Sequence, residues 1–251
     1  MSIGILGATI GRILRQLRHD RRTIAMLVAV PALLLTVLYF MYANQPTPPG
    51  RPSTFDRVAL IMLGLFPFII MFLVTSIAML RERTSGTLER LLTTPLGKLD
   101  LLFGYGIAFG LAAAIQAAIA AGVAYWLFNL TTAGSPGLVI AIAVVNAVLG
   151  VAFGLLCSAF AQTEFQAVQF MPVVVIPQSL LCGLFVPRDE MAGWLQAVSD
   201  VLPLSYAVEA LQEVGAHAEP TATMWRDAAV VVGTVVVALV LAATTLRRRT
   251  A

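Results

Sequence analysis

The chain has 251 residues, of which 59% are hydrophobic and only 12% charged, and its mean hydropathy is +0.89. Soluble domains average about 25% charged residues, so this composition excludes one. Together with several runs of about 20 apolar residues it implies a polytopic helical membrane protein. The pI near 9.2 does not point to nucleic acid, because the arginines gather at the edges of the apolar runs.

Taken in chain order, residues 3–18 read as an amphipathic interfacial helix. Ile3, Leu6, Ile10, Ile13 or Leu14, and Leu17 recur at helical spacing, with arginines on the other face. Residues 23–43 carry no charge and form the first expected span. Its apolar run is too long, and its charged preamble too extended, for a cleaved signal peptide. The connector NQPTPPGRPSTFDR, residues 44–57, is Pro-rich and should resist helix. The second span is expected at about 58–80 and the third at 101–128. NLTTAGSPG at 129–137 is a short turn, and its Asn129-Leu130-Thr131 matches a glycosylation sequon. The fourth span follows at 138–160 and the fifth at about 167–186. In the segment 187–227, two apolar stripes predict two short helices at about 188–215. One comprises Trp194, Leu195, Val198 and Leu202; the other comprises Tyr206, Ala207, Leu211 and Val214. These helices lie on the outer leaflet or fold back among the spans. The sixth span is expected at 228–246. The expected fold is therefore an all-α membrane protein, one transmembrane domain with six spans, since lipid leaves only helices viable for such runs.

Twelve of the 16 Lys and Arg residues fall in the N-terminal arm, the 81–98 loop and the C-terminus. The positive-inside rule then places both termini and that loop in the cytoplasm.

The spans as drawn contain no ionisable residue, which argues against a proton- or ion-coupled transporter. His19 and His217 lie outside them, so no Ser–His pair meets within the membrane and no metal-ligand spacing arises. Cys157 and Cys182 read as small core residues. Gly97-Lys98 is followed by Leu99 and has no glycine five residues before it, so the sequence holds no P-loop. No catalytic centre, metal or cofactor is expected in this chain. Gly106-x-x-x-Gly110 and Gly150-x-x-x-Gly154 permit close helix approach, within one subunit or between two. Pro31, Pro67, Pro172 and Pro177 can kink their spans. Phe66, Phe68, Met71, Phe72, Thr75, Phe170, Met171 and Gln178 would suit an apolar-aromatic substrate path, and ordinary packing explains them equally.

The stretch RERTSGTLERLLTTPLGKLD, residues 81–100, is the most charged run between two apolar ones. It reads as a two-turn helix at about 85–94. Thr84 or Ser85 can cap it, Glu89 favours its dipole, and Pro95 stops it. Leu88, Leu91 and Leu92 share one face; Glu89, Arg90 and Thr93 point away. A helix this short does not stand alone in water, so it rests on headgroups or on a partner.

Glu82, Gly86, Thr87, Leu88, Glu89, Leu91, Leu92, Thr94 and Pro95 match the form E-x-x-x-G-T-L-E-x-L-x-x-T-P. This resembles the signature of the type-2 ABC transporter permeases, placed between spans two and three. Phe185-Val186-Pro187, Trp194-Leu195 and Pro203-Leu204-x-Tyr206 resemble the family's external stretch before the last span. One departure stands at the start of span three, where the family has Gly-Lys and this chain has Gly104-Tyr105. The resemblance implies a permease in a bacterial-type plasma membrane, paired with a second copy or a sister permease. It implies two separate ATPase subunits that carry ATP and Mg. Their groove would receive the coupling helix, including Arg90. It also implies export of drugs, antibiotics, lipids or polysaccharides, and the chain is most similar to the daunorubicin-resistance-type exporters. A polysaccharide or glycolipid exporter, and a non-transporting assembly factor, are the alternative readings.

Overall fold

The computed structural model describes residues 3–45, 53–85 and 98–245. Within them the chain is helical and contains no strand. Helix α1 spans Ile3–His19 and α2 spans Arg21–Tyr42. Asp20 joins them by capping α2, its carboxylate accepting from the Thr23 amide at 3.1 Å and hydroxyl at 2.7 Å. Helix α3 spans Thr54–Thr84 and α4 spans Lys98–Gly122, continued by a π-helical turn at Val123–Leu127. Helix α5 spans Pro136–Cys157 and α6 spans Glu164–Leu181. After a 3-10 turn at Arg188–Glu190 come α7, Gly193–Ser199, and α8, Pro203–Ala216. Helix α9 spans Ala222–Thr245.

Among the described residues, five helices are long and apolar enough to cross a membrane: α2, α3, α4 with its π turn, α5 and α9. Helix α6, read as the fifth of six spans reaching 186, is not among them. It stops at Leu181 after 18 residues, about 27 Å of rise. Two prolines and three glutamines dilute it, and Gly183 takes a φ of +92°, which ends the helical path. Helix α3 is longer than expected at both ends. Residues 54–57, assigned by sequence to the helix-resistant connector, form its first turn. Ser53 and Asp56 cap each other's backbone there in a reciprocal box. Its 31 residues rise about 46 Å, more than the hydrocarbon thickness. Asp56 and Arg57 at one end, and Arg81, Glu82 and Arg83 at the other, bracket the charge-free stretch. The helices thus carry ionisable residues just beyond the spans as drawn from sequence.

Helices α3 and α5 form the centre. Asn146 donates to the Gly64 carbonyl at 2.7 Å. A Cβ on Gly150 would lie 2.3 Å from the Phe68 carbonyl oxygen, and one on Gly154 would lie 2.6 Å from that of Phe72. The partners 64/146, 68/150 and 72/154 keep one offset and advance by four, so the helices run parallel along their four-residue ridges. The glycine pair of α5 therefore serves packing inside the subunit. Gly106 and Gly110 likewise face Leu239 of α9 and Val148 of α5. Helix α8 folds back into the bundle, packing on α3, α5, α6 and α9. Its face Leu204, Ala207, Val208 and Leu211 is fully buried. Of the two placements open to it, the structure has the inward one. Ser199 completes the turn by donating to the Leu181 carbonyl at 2.8 Å, which satisfies an orphan acceptor at the end of α6.

Candidate functional site

The coupling candidates Gly86, Thr87, Leu88, Glu89, Arg90, Leu91, Leu92, Thr94 and Pro95 lie outside the described residues. What the structure describes is the platform they spring from. Thr84, offered as a cap for the coupling helix, ends α3 instead, with Ser85 as its C-cap.

Three consecutive side chains at this end of α3 tie it to different neighbours. Arg81 donates to both oxygens of Glu164, the first residue of α6, at 2.7 and 3.2 Å. Glu82 accepts from Arg12 of α1 at 3.2 Å. Arg83 donates to the Ser158 carbonyl at the end of α5, at 3.3 Å. A helix turns about 100° per residue, so successive residues reach different sides of α3. That geometry makes a charged triplet at a helix end into a three-way junction. Glu82 is 6% exposed, and Arg12 also donates to the Tyr105 hydroxyl at 3.0 Å. Tyr105 occupies the position where the resemblance led us to expect lysine. The cation beside Glu82 is Arg12 of α1. A Cβ on Gly104 would lie 2.6 Å from Thr9 Cγ2, so the glycine lets α1 seat closely on α4.

The substrate-path candidates are distributed through the packing. Met71, Phe72 and Thr75 are fully buried. Phe72 belongs to the large core cluster, Met71 to a second one, and Phe66, Phe170 and Met171 pack against the first. Phe68 packs edge-on to Phe153, their ring centroids 6.2 Å apart. Gln178 is a structural tie: it donates to the Val174 carbonyl at 3.0 Å and accepts from the Leu204 amide at 3.3 Å. None of these residues lines either cavity described next.

At the end of the bundle opposite the triplet lies a cavity of about 930 Å³. Five carboxylates and three arginines line it, so negative charge is in surplus. Arg188 bridges Asp200 and Glu209 and lies over the Tyr206 ring, 5.4 Å from its centroid. Arg226 reaches Glu209 at 3.6 Å and Asp227 at 2.8 Å. Burial, and next the nearby Asp227, push the Glu209 carboxyl above its ordinary value. Sequence reasoning followed the apolar stripes of this segment and missed its polar one. The signal was present: Arg188, Glu209 and Glu213 (four apart on α8), and Arg226 flank the same stripes.

A smaller cleft of about 250 Å³ opens beside the triplet, between α1, α2, α3 and α4. Asp20, Arg81 and Glu82 stand at one end of it, and Leu73, Val74 and Phe109 at the other.

The sequence model of the family described as "ABC-2 type transporter" matches residues 6–214. One similar protein is "Probable multidrug ABC transporter permease YbhR" of Escherichia coli (strain K12). It is 28% identical over 153 residues, 61% of this chain and 42% of the relative. "ABC transporter G family member 20" of Dictyostelium discoideum is 25% identical over 171 residues, 67% of this chain and 23% of that protein. "Linearmycin resistance permease protein LnrN" of Bacillus subtilis (strain 168) is 26% identical over 138 residues, covering 55% and 36%. The matched region spans less than half the length of each of these curated relatives. With five helices fit to cross a membrane among the described residues and a family match over most of its length, the chain is a multi-pass membrane protein that belongs to the ABC-2 type transporter family.

Proposed function

We propose that the chain is the membrane-spanning subunit of an ATP-driven exporter. It moves hydrophobic drugs, antibiotics or lipid-like molecules out of the cytoplasm or inner leaflet. ATP and Mg are bound by separate ATPase subunits, two per complex with two permeases. The energy enters through residues 85–94, with Glu82, Gly86, Thr87, Leu88, Glu89, Arg90, Leu91, Leu92, Thr94 and Pro95 forming or supporting the contact. Both termini face the cytoplasm.

The observation that carries this reading is the junction at the end of α3. A segment that receives force must pass it to several helices together. Immediately before that segment, Arg81, Glu82 and Arg83 bind α6, α1 and the end of α5. A push on 86–97 is thereby shared among α1, α3, α5 and α6 rather than absorbed in one loop. The names of the E. coli and B. subtilis relatives, a probable multidrug permease and a linearmycin-resistance permease, support drugs or antibiotics as cargo.

The test is co-purification in mild detergent. Leu88→Asp combined with Glu89→Lys should abolish retention of the ATPase while membrane insertion persists. Normal retention and continued export in that variant would exclude the docking role.

A further inference from the structure

We propose that the exposed arginines at the α1–α2 corner, Arg15, Arg18, Arg21 and Arg22, bind the headgroups of anionic phospholipids and so hold α1 in its seat on α3 and α4. The inference goes beyond the exporter reading and does not depend on it. Three observations carry it.

The first is uncompensated charge. Residues 1–50 contain five arginines and one carboxylate, Asp20. Arg12 is taken by Glu82. Asp20 is turned to Thr23, accepting from its amide and hydroxyl, and it also feels the charge of Arg81. The other four arginines are exposed. None of them has an acidic partner among the described residues. Arg15 uses only its Nε, on the Gly11 carbonyl at 3.1 Å.

The second is orientation. At about 100° per residue, Arg15 and Arg18 lie about 60° apart on α1 and at least about 140° from Ile13. Ile13 is buried in a cluster with Leu27, Met79, Tyr105 and Phe109, so the apolar face of α1 is already covered by protein. The opposite face carries Gly4, Gly7 and Ala8 beside the arginines, all exposed. A Cβ on Gly7 or Gly11 would meet nothing within 4 Å. This face offers charge without an apolar anchor, which suits headgroups and not hydrocarbon.

The third is depth. Helix α2 begins at Arg21 and is long and apolar enough to span. Only Leu27, Pro31 and Leu35 are buried along it, so most of its surface is open to lipid. Ile24, Met26 and Val28 are exposed apolar side chains within two turns of Arg21 and Arg22. The guanidinium groups therefore stand where hydrocarbon gives way to headgroups. The anion at that depth is phosphate, which arginine meets through paired N–H donors. A zwitterionic headgroup brings its own cation, whereas an anionic one leaves its charge to the arginines, each contributing about fivefold in affinity. The helix that carries Arg15 and Arg18 also brings Arg12 to Glu82 and Tyr105, so lipid bound here steadies that contact.

The test takes the full chain, without any ATPase, from a nonionic detergent into native mass spectrometry with palmitoyl-oleoyl phosphatidylglycerol or phosphatidylcholine. The glycerol lipid is expected to bind at least about tenfold more tightly and to raise the melting temperature more. Replacing all four arginines with Gln should bring the two lipids within about threefold of each other. Lys at the same four positions should keep most of the preference, because charge carries it. Arg18→Gln alone should cost about fivefold. Arg18 makes no hydrogen bond or ion pair among the described residues, so this variant keeps the test valid if the quadruple one does not fold. Arg57→Gln, an exposed arginine at the opposite end of α3, should change nothing. Equal affinity for the two lipids, or an undiminished preference in the Gln variants, would overturn the proposal. Displacement of the lipid by excess inorganic phosphate would assign the face to a free anion. Loss of ATPase retention in the Gln variants with lipid preference unchanged would assign it to an acidic protein. Either of these also overturns it.

Discussion

Single residues at the helix junctions carry measurable parts of this design. Asp20 caps α2 through Thr23, whose hydroxyl and amide hold the carboxyl below its ordinary value. A depressed carboxylate stabilises the fold above its unfolded pKa, about pH 4, and that contribution fades as pH falls through the lowered folded value. Asp20→Ala should therefore cost about 1 kcal/mol at pH 7, and the difference from the wild type should shrink below about pH 4. Melting curves in detergent at both pH values check this. Gly150 offers a second case. An added Cβ would meet the Phe68 carbonyl oxygen at 2.3 Å, and backbone does not yield as a side chain does. Gly150→Ala should cost about 1–3 kcal/mol. Gly233 sits on α9 with nothing within 4 Å of such a Cβ, so Gly233→Ala should gain about 1 kcal/mol from helix propensity. Melting temperatures should rank Gly233→Ala at or above the wild type, and Gly150→Ala below both. The small-residue spacing of α5 was legible in the sequence. Which partner it met was not, because Gly-x-x-x-Gly marks close approach without naming the approaching helix.

At the scale of elements, the telling contact is the one between α1 and the end of α3. Arg12 is the cation beside a carboxylate that is otherwise buried. Arg12→Ala leaves that charge unpaired and should cost about 2 kcal/mol. Adding Glu82→Gln to it should recover part of the loss. A double-mutant cycle read by thermal unfolding checks the coupling, and simple additivity would contradict the pair. Most elements were legible as periodicity and charge-free length: α1, α2, α4 with its π turn, and α5 fall within three residues of expectation, and α9 starts six residues before it. The boundaries that moved have physical causes. Asp56 bonds the Ser53 amide at 3.2 Å and the Thr131 hydroxyl at 2.8 Å, so a Pro-rich connector ends in an anchored first turn. Gly183, with its positive φ just past Leu181, marks the early end of α6. The inward placement of α8 depends on Gln178 of α6 accepting from the Leu204 amide, and on Ser199 and Ser205 donating to the Leu181 carbonyl at the end of α6, which no local pattern announces. The Arg12–Glu82 pair, 70 residues apart, is likewise a tertiary fact. Sequence marked Glu82 through the family motif and left Arg12 as one of several topology-setting arginines.

At the scale of the whole molecule, the bundle has two unlike ends joined by a closely packed apolar centre. One end gathers α1, α3, α5 and α6 on a charged triplet next in sequence to the proposed coupling residues. The other holds a charged cavity beside which Arg188 and Arg226 pair with Asp200, Glu209 and Asp227. Between them α3 and α5 approach backbone to backbone at Gly150 and Gly154, and in the proposed mechanism these rigid elements carry motion from one end to the other. The account's central claim is that this motion starts from a nucleotide-driven partner seated on residues 85–94. The most direct measurement places a photo-crosslinking amino acid at position 88 and irradiates intact cells. The account predicts a single major adduct with a protein that contains a P-loop and hydrolyses ATP, reduced when Glu89 is replaced by Lys. Cross-links to lipid alone, or to a protein that binds no nucleotide, would contradict it.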